Sequence, residues 1–191
     1  MGSTISTNRW RTVDIVVAAV IGVAFGVVFQ VWNVVWTIFS GPFSALVYGI
    51  WLIPAVLTAL IVRKPGASVF TETVAAAVAL LLGSPYGAMG IVQGAVEGFG
   101  SEVAFAAGRY RSYGVTTAAA AGALGGFAAT LFDALYWYRG ESWSAFLLPY
   151  IGMGTLSCLV VAGLGSLALT RGLARTGVLD RFPAGRERAT V

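Results

Sequence analysis

The chain has 191 residues, is 58% hydrophobic and only 10% charged, and carries a formal net charge of +4. Soluble domains are about 25% charged, so this balance excludes an ordinary soluble domain and describes a chain solvated by lipid. The absence of histidine and the presence of a single cysteine, Cys158, exclude histidine ligands, Ser-His-Asp triads, an internal disulfide and a thiolate zinc cluster.

No P-loop pattern occurs either, so an ATP site of that kind is not expected. No catalytic residue, cofactor or metal is assigned, and the chain does not read as an enzyme. The excess positive charge sits mostly at helix ends, as a topology signal and not as a nucleic-acid surface. A hydrocarbon core of about 30 Å takes roughly 20 apolar residues per helix. That leaves room for about six spans and no separate soluble domain. Residues 1–8 lack the apolar core of a signal peptide, so the first apolar run is read as a retained helix.

The first helix is expected over 13–36. Ala18, Gly22 and Gly26 form a small-residue ridge on it. Such a ridge lets another helix approach closely, and two readings stay open: packing within the chain, or docking of a separate protein. Trp32, Asn33 and Trp36 close this helix, where an aromatic belt explains the tryptophans as well as a ligand does. Asp14, near its start, reads as an interfacial residue.

A turn at Ser40-Gly41-Pro42 leads into a second helix over 43–62, with Tyr48 and Trp51 in its outer half, as core or as site. Arg63-Lys64-Pro65-Gly66 stops that helix, because proline cannot continue it and glycine suits a tight turn. A third, alanine-rich helix is expected over 69–82. Glu72 falls in its first turn, where the helix dipole favours a carboxylate.

The fourth helix, 86–108, is apolar enough to cross a bilayer, yet it carries Gln93, Glu97 and Glu102. Ionisable groups at membrane depth are costly and mark a functional site by default. Gln93 and Glu97 share a face, four residues apart, while Glu102 points elsewhere and reads as a packing or coupling residue.

The fifth helix, 115–138, contains Gly122, Gly125 and Gly126, then Asp133 and the cluster Tyr136-Trp137-Tyr138. Asp133 is either a site residue or a structural one neutralised by Arg139. The sixth helix, 143–169, carries Tyr150 near its start, and 171–191 forms a basic, loosely ordered cytoplasmic tail.

Arg9, Arg11, Arg63, Lys64, Arg109, Arg111, Arg171, Arg175, Arg181, Arg186 and Arg188 fall on the side of the termini, and Arg139 on the other. The positive-inside rule then places both termini in the cytoplasm, which an even number of spans requires. The expectation is therefore a single all-α domain, 1–191, crossing the plasma membrane six times.

At these depths an outward-opening pocket forms, floored by Glu97 and Gln93 and walled by aromatic side chains. The candidate binding set is Glu97, Gln93, Asp133, Asn33, Trp36, Tyr48, Trp51, Tyr86, Trp137 and Tyr150. Aromatic faces attract a cationic or weakly basic ring, and a carboxylate pairs with its N–H donors.

Y-G-I-W at Tyr48 to Trp51, R-K-P-G-A at Arg63 to Ala67, Glu72, and V-E-G-F-G-S-E at Val96 to Glu102 resemble the YkoE family. The similarity covers about Asp14 to Tyr138. That family consists of the membrane-embedded S components of energy-coupling-factor (ECF) transporters. The resemblance implies a six-helix binder of thiamin or its hydroxymethylpyrimidine precursor, with a T component and cytoplasmic ATPases as partners. The family pattern places Gln before its G-x-G-x-E segment, and Glu97 holds that place here. The ridge of Ala18, Gly22 and Gly26 is similar to the motif by which S components dock on the T component. The other reading is a stand-alone proton-coupled transporter that uses Glu97, Glu102 or Asp133 as a relay.

Overall fold

The structure, a computed structural model, describes residues 9–186. Arg188 and the end of the 171–191 tail lie outside the described residues. The elements in chain order are α1 (Thr12–Trp36), a 3₁₀ segment (Gly41–Ile50), α2 (Ile53–Val62), α3 (Ala67–Leu81), α4 (Met89–Ala107), α5 (Val115–Tyr136), α6 (Trp143–Arg175) and α7 (Pro183–Arg186). No strand occurs among the described residues.

Four stretches are long and apolar enough to cross a membrane: Thr12–Trp36, Gly41–Val62, Val115–Tyr136 and Trp143–Arg175. Ala67–Leu81 is apolar but shorter. Helix α4, expected to be apolar enough to cross, is not one of the four: it is 19 residues long, and Gln93, Glu97 and Glu102 lower its hydropathy.

Two expected helices differ in kind. The expected 43–62 helix is not one α-helix. Its first half winds as 3₁₀ from Gly41 to Ile50, and α2 begins only at Ile53 with Pro54 in its first turn. Tyr48 and Trp51 lie three residues apart, one 3₁₀ turn. At about 2.0 Å per residue the 3₁₀ half adds length that α geometry would not. The expected sixth helix runs beyond 169 to Arg175, with π-helical turns at Trp143–Leu147 and Cys158–Gly165. The tail that follows is not loose up to residue 186. Leu179, Phe182 and Ala184 bury against Leu57, Ile61 and Val62 of α2, with Trp10 and Val17 alongside. This cluster also puts both ends of the described chain at one end of the bundle.

The small-residue ridge settles within the chain. Ala18, Gly22 and Gly26 are all buried. A Cβ on Gly22 would stand 2.8 Å from Val74 Cγ1 and 3.0 Å from the Thr71 carbonyl oxygen, and one on Gly26 would meet Val78 and the Ala75 carbonyl. The ridge forms the seam between α1 and α3, the first of its two readings. The exposed face of α1 is instead Val16, Val20, Val23, Val27 and Val31.

Other glycines do the same on α4. A Cβ on Gly94 would stand 2.8 Å from Ala76 Cβ, one on Gly98 2.7 Å from Val69 Cα, and one on Gly100 2.7 Å from the Leu124 carbonyl oxygen. The helix therefore runs unbroken through Gly98-Phe99-Gly100, pressed against α3 on one side and α5 on the other.

Polar groups close the end that holds the described termini. Asp14 is buried and pairs with Arg11 at 2.8 Å in a capping box. Glu102 accepts hydrogen bonds from the backbone N–H groups of Gly66 (2.7 Å) and Ser68 (3.0 Å). Those are among the orphan donors at the start of α3. Glu102 thus ties α4 to the Arg63-Lys64-Pro65-Gly66 turn, where Gly66 takes a positive φ of 83°. Burial and the adjacent Glu102 carboxylate push the Tyr110 phenol up to about 12.

Candidate functional site

At the opposite end of the bundle a cavity of about 150 Å³ opens between α1, the 3₁₀ segment, α3, α4, α5 and α6. All ten residues of the expected binding set line it: Asn33, Trp36, Tyr48, Trp51, Tyr86, Gln93, Glu97, Asp133, Trp137 and Tyr150. The lining also includes Phe29, Glu72, Ala76, Ala79, Ser84 and Tyr138.

One amide organises the polar side. Gln93 Nε2 lies within hydrogen-bonding distance of Tyr48 Oη (2.8 Å), Asp133 Oδ1 (2.9 Å) and Glu97 Oε1 (3.1 Å). Its Oε1 accepts from Trp137 Nε1 at 2.9 Å. The Tyr48 hydroxyl donates to Glu97 Oε1 at 3.0 Å, and the Tyr150 hydroxyl donates to Asp133 Oδ2 at 2.6 Å. Four separate elements thus converge on two carboxylates, and each carboxylate has its donors.

The aromatic wall is equally interlocked. Trp36 and Trp51 lie with ring centroids 4.5 Å apart, and Tyr48 meets Trp51 edge-on at 5.2 Å. Trp32, just outside the cavity, donates to the Val47 carbonyl at 3.1 Å and pins α1 to the 3₁₀ segment. Tyr86 and Trp137 meet edge-to-face at 5.5 Å.

Two expectations about charged residues are corrected here. Arg139 does not neutralise Asp133: its Nε donates to the Leu135 carbonyl and its guanidinium lies over the Tyr136 ring. Asp133 instead faces the cavity, held by Gln93 and Tyr150. Glu72 does not sit in a first turn balancing a helix dipole. Helix α3 starts at Ala67, so Glu72 lies deeper, fully buried, and lines the cavity. Its Oε2 accepts from the backbone N–H of Ala55, one of the unsatisfied donors opening α2, at 3.2 Å.

The electrostatic character follows from the lining. Among the described residues three carboxylates line the cavity, and no lysine or arginine does. A cavity of this composition favours a ligand that brings positive charge or N–H donors. It is also framed by aromatic rings suited to stacking on a flat ring.

The chain matches the family described as ABC-type cobalt transport system, permease component, over residues 13–128. It is 34% identical over 182 residues to the protein named putative HMP/thiamine permease protein YkoE of Bacillus subtilis (strain 168), covering 93% of this chain and 92% of that one. A solved structure described as an S-component of an ECF transporter superposes with a TM-score of 0.89 at 34% identity, covering 95% of this chain and 94% of the other. No group of three His, Cys, Asp or Glu side chains that could hold a metal ion occurs among the described residues.

Fold and pocket together define a substrate-binding S component of an ECF-type importer: a multi-pass plasma-membrane protein and a transport subunit, not an enzyme. The chain belongs to the YkoE family. That membership selects the importer-subunit reading over the stand-alone proton-coupled transporter.

Proposed function

We propose that this chain captures hydroxymethylpyrimidine or thiamin from outside the cell and passes it inward with a T component and cytoplasmic ATPases. The observation that carries the substrate class is the cavity itself, with aromatic walls and, among the described residues, three carboxylates and no basic side chain. The named relative is described as an HMP/thiamine permease, which supports the same ligand class.

Size favours the smaller ligand. A cavity of about 150 Å³ is of the order that accepts one benzene-sized ring. The pyrimidine alone matches that volume. Thiamin, with two rings, requires its second ring to project past Tyr86 and Trp137 at the mouth. In this reading Trp36, Trp51 and Tyr48 form the wall against which the ring stacks. Glu97, Gln93 and Asp133, steadied by Tyr150, supply its polar contacts, and Asn33 lines the cavity with its Oδ1 buried and unpartnered.

The whole chain acts as one integral membrane unit in contact with lipid, crossing the bilayer six times with both termini in the cytoplasm. The distribution of basic residues supports this sidedness: Arg9, Arg11, Arg63, Lys64, Arg109 and Arg111 lie toward one end and Arg139 toward the other. It directs the cavity mouth outward. The site is tested by titrating the purified protein with hydroxymethylpyrimidine and with thiamin, following tryptophan fluorescence, since Trp36, Trp51 and Trp137 line the cavity. Saturable binding of either one supports the assignment, and binding of neither overturns it.

A further inference from the structure

Among the three carboxylates of the cavity, Glu97 and Asp133 are already supplied with protein donors. Tyr48 and Gln93 both reach Glu97 Oε1, leaving Oε2 on the cavity side, and both Asp133 oxygens lie within hydrogen-bonding distance of protein groups, Gln93 and Tyr150; what sets Glu72 apart is complete burial. Glu72 differs. It is 0% exposed, its Oε2 is held by the Ala55 N–H, and its Oε1 is buried with no hydrogen-bond partner. It lies nine residues before the end of α3 at Leu81, about 14 Å along the helix axis, so it sits deep in the cavity.

A carboxylate oxygen withdrawn from water and left without a donor is costly, and native structures rarely keep one without use. The Ala55 contact fixes the direction of the carboxylate, because only one of its oxygens is engaged. The other has neither a protein donor nor exposed surface, so a bound ring satisfies it only by packing directly against it.

We propose that Glu72 is a specificity-determining residue whose free oxygen accepts a hydrogen bond from an amino group on the leading edge of the bound ring. This rests on the pyrimidine-binding reading above and adds an orientation to it. The amino edge enters first, toward the junction of α2 and α3, and the rest of the ring points to the mouth. The cavity then selects an aminopyrimidine over an oxo analogue, in which a ring carbonyl replaces the amino group. A carbonyl facing Glu72 sets two acceptors against each other and leaves both without a donor.

The ligand-side test needs no mutation. Wild-type protein is titrated with hydroxymethylpyrimidine and with its oxo analogue. The proposal expects the analogue to bind at least roughly 100-fold more weakly, the scale of one buried polar group left unpaired. Equal affinity for the two rings overturns the proposal and leaves the binding function intact. Binding of neither ring overturns the proposal, and failure to bind thiamin as well removes the reading on which it rests.

The protein-side test is Glu72→Gln. The Gln carbonyl keeps the bond to Ala55, while its amide N–H₂ takes the place of the free oxygen. The variant is expected to lose affinity for the amino ring by roughly 30-fold and to gain affinity for the oxo ring. A folded Glu72→Gln protein with unchanged preference assigns Glu72 to the capping of α2 alone and overturns the proposal.

Discussion

Replacing Gly22 by Ala and by Leu probes the seam between α1 and α3. The Cβ of an alanine would stand 2.8 Å from Val74 Cγ1, 2.9 Å from Val74 Cβ and 3.0 Å from the Thr71 carbonyl oxygen. Two of these atoms belong to a side chain that is stiff at χ1, and the third is helix backbone, so little of the strain can be relieved locally. Overpacking of this kind costs about 1–3 kcal/mol. A loss of about 2 kcal/mol lowers the unfolding midpoint by about 4–8 °C in a chain of this size. Gly22→Leu adds further carbons against the same wall and is expected to unfold or to express poorly. The assay is intrinsic fluorescence during heating of the detergent-purified protein, with Val20→Leu as the control. Val20 is 61% exposed on the outer face of α1, so its change should leave the midpoint within about 1 °C, as for a surface substitution. The reasoning fails if Gly22→Leu is as stable as the parent. If that stable variant has lost only its association with a T component, the ridge is the docking face after all.

Three further outcomes are expected. Glu97→Ala leaves the Tyr48 hydroxyl and Gln93 Nε2 without an acceptor they share; it should weaken ring binding by roughly 30-fold or more in fluorescence titration, with Glu97→Gln milder, and parent-like binding by a folded Glu97→Ala would remove Glu97 from the site. Glu102→Ala strips the acceptor from the Gly66 and Ser68 N–H groups, so stability should drop by about 1–2 kcal/mol, as for loss of a helix cap, while ligand affinity is unchanged; a change in affinity without a change in midpoint would contradict a purely capping role. A cysteine at Glu141 should react with an impermeant thiol reagent applied to intact cells and one at Ser112 should not, with native Cys158 silent because it is buried; the reverse pattern would invert the topology.

The residue types of the pocket were readable in the sequence, but their pairings were not. Gln93 and Glu97 declare a shared face through their spacing of four, and they do bond, at 3.1 Å. Tyr48 and Asp133 lie 45 and 40 positions from Gln93, and no periodicity reports such distances. Glu72 was misread because two residues decide its place. A helix beginning at 69 puts it in the first turn, whereas one beginning at Ala67 puts it beyond that turn, level with the opening of α2. The 3₁₀ winding from Gly41 to Ile50 was hidden because spacings of three suit both helix types. The ridge of Ala18, Gly22 and Gly26 was visible, but small residues accept any helix as neighbour, and only the fold shows that the neighbour is α3. Arg139 follows the C-terminal cap of α5 at Trp137, and the chain turns it away from Asp133 after the helix ends.

The close backbone contacts of Gly22, Gly26, Gly94, Gly98 and Gly100 also dictate where the chain can change. At those five positions any added carbon meets an atom of α3 or α5 at 3 Å or less, so tolerance is set by geometry and not by polarity. Serine and alanine should be rejected there alongside leucine. The valine face of α1 imposes the opposite rule, since Val16, Val20, Val23, Val27 and Val31 touch no tight seam and need only stay apolar. Saturation mutagenesis scored by folded yield should therefore divide α1 into two registers: one intolerant of any side chain at intervals of four residues, the other freely exchanging valine, isoleucine, leucine and phenylalanine. Related chains in bilayers of different lipid should diverge first along that second register, leaving the glycine seam as the slowest-changing part of the helix.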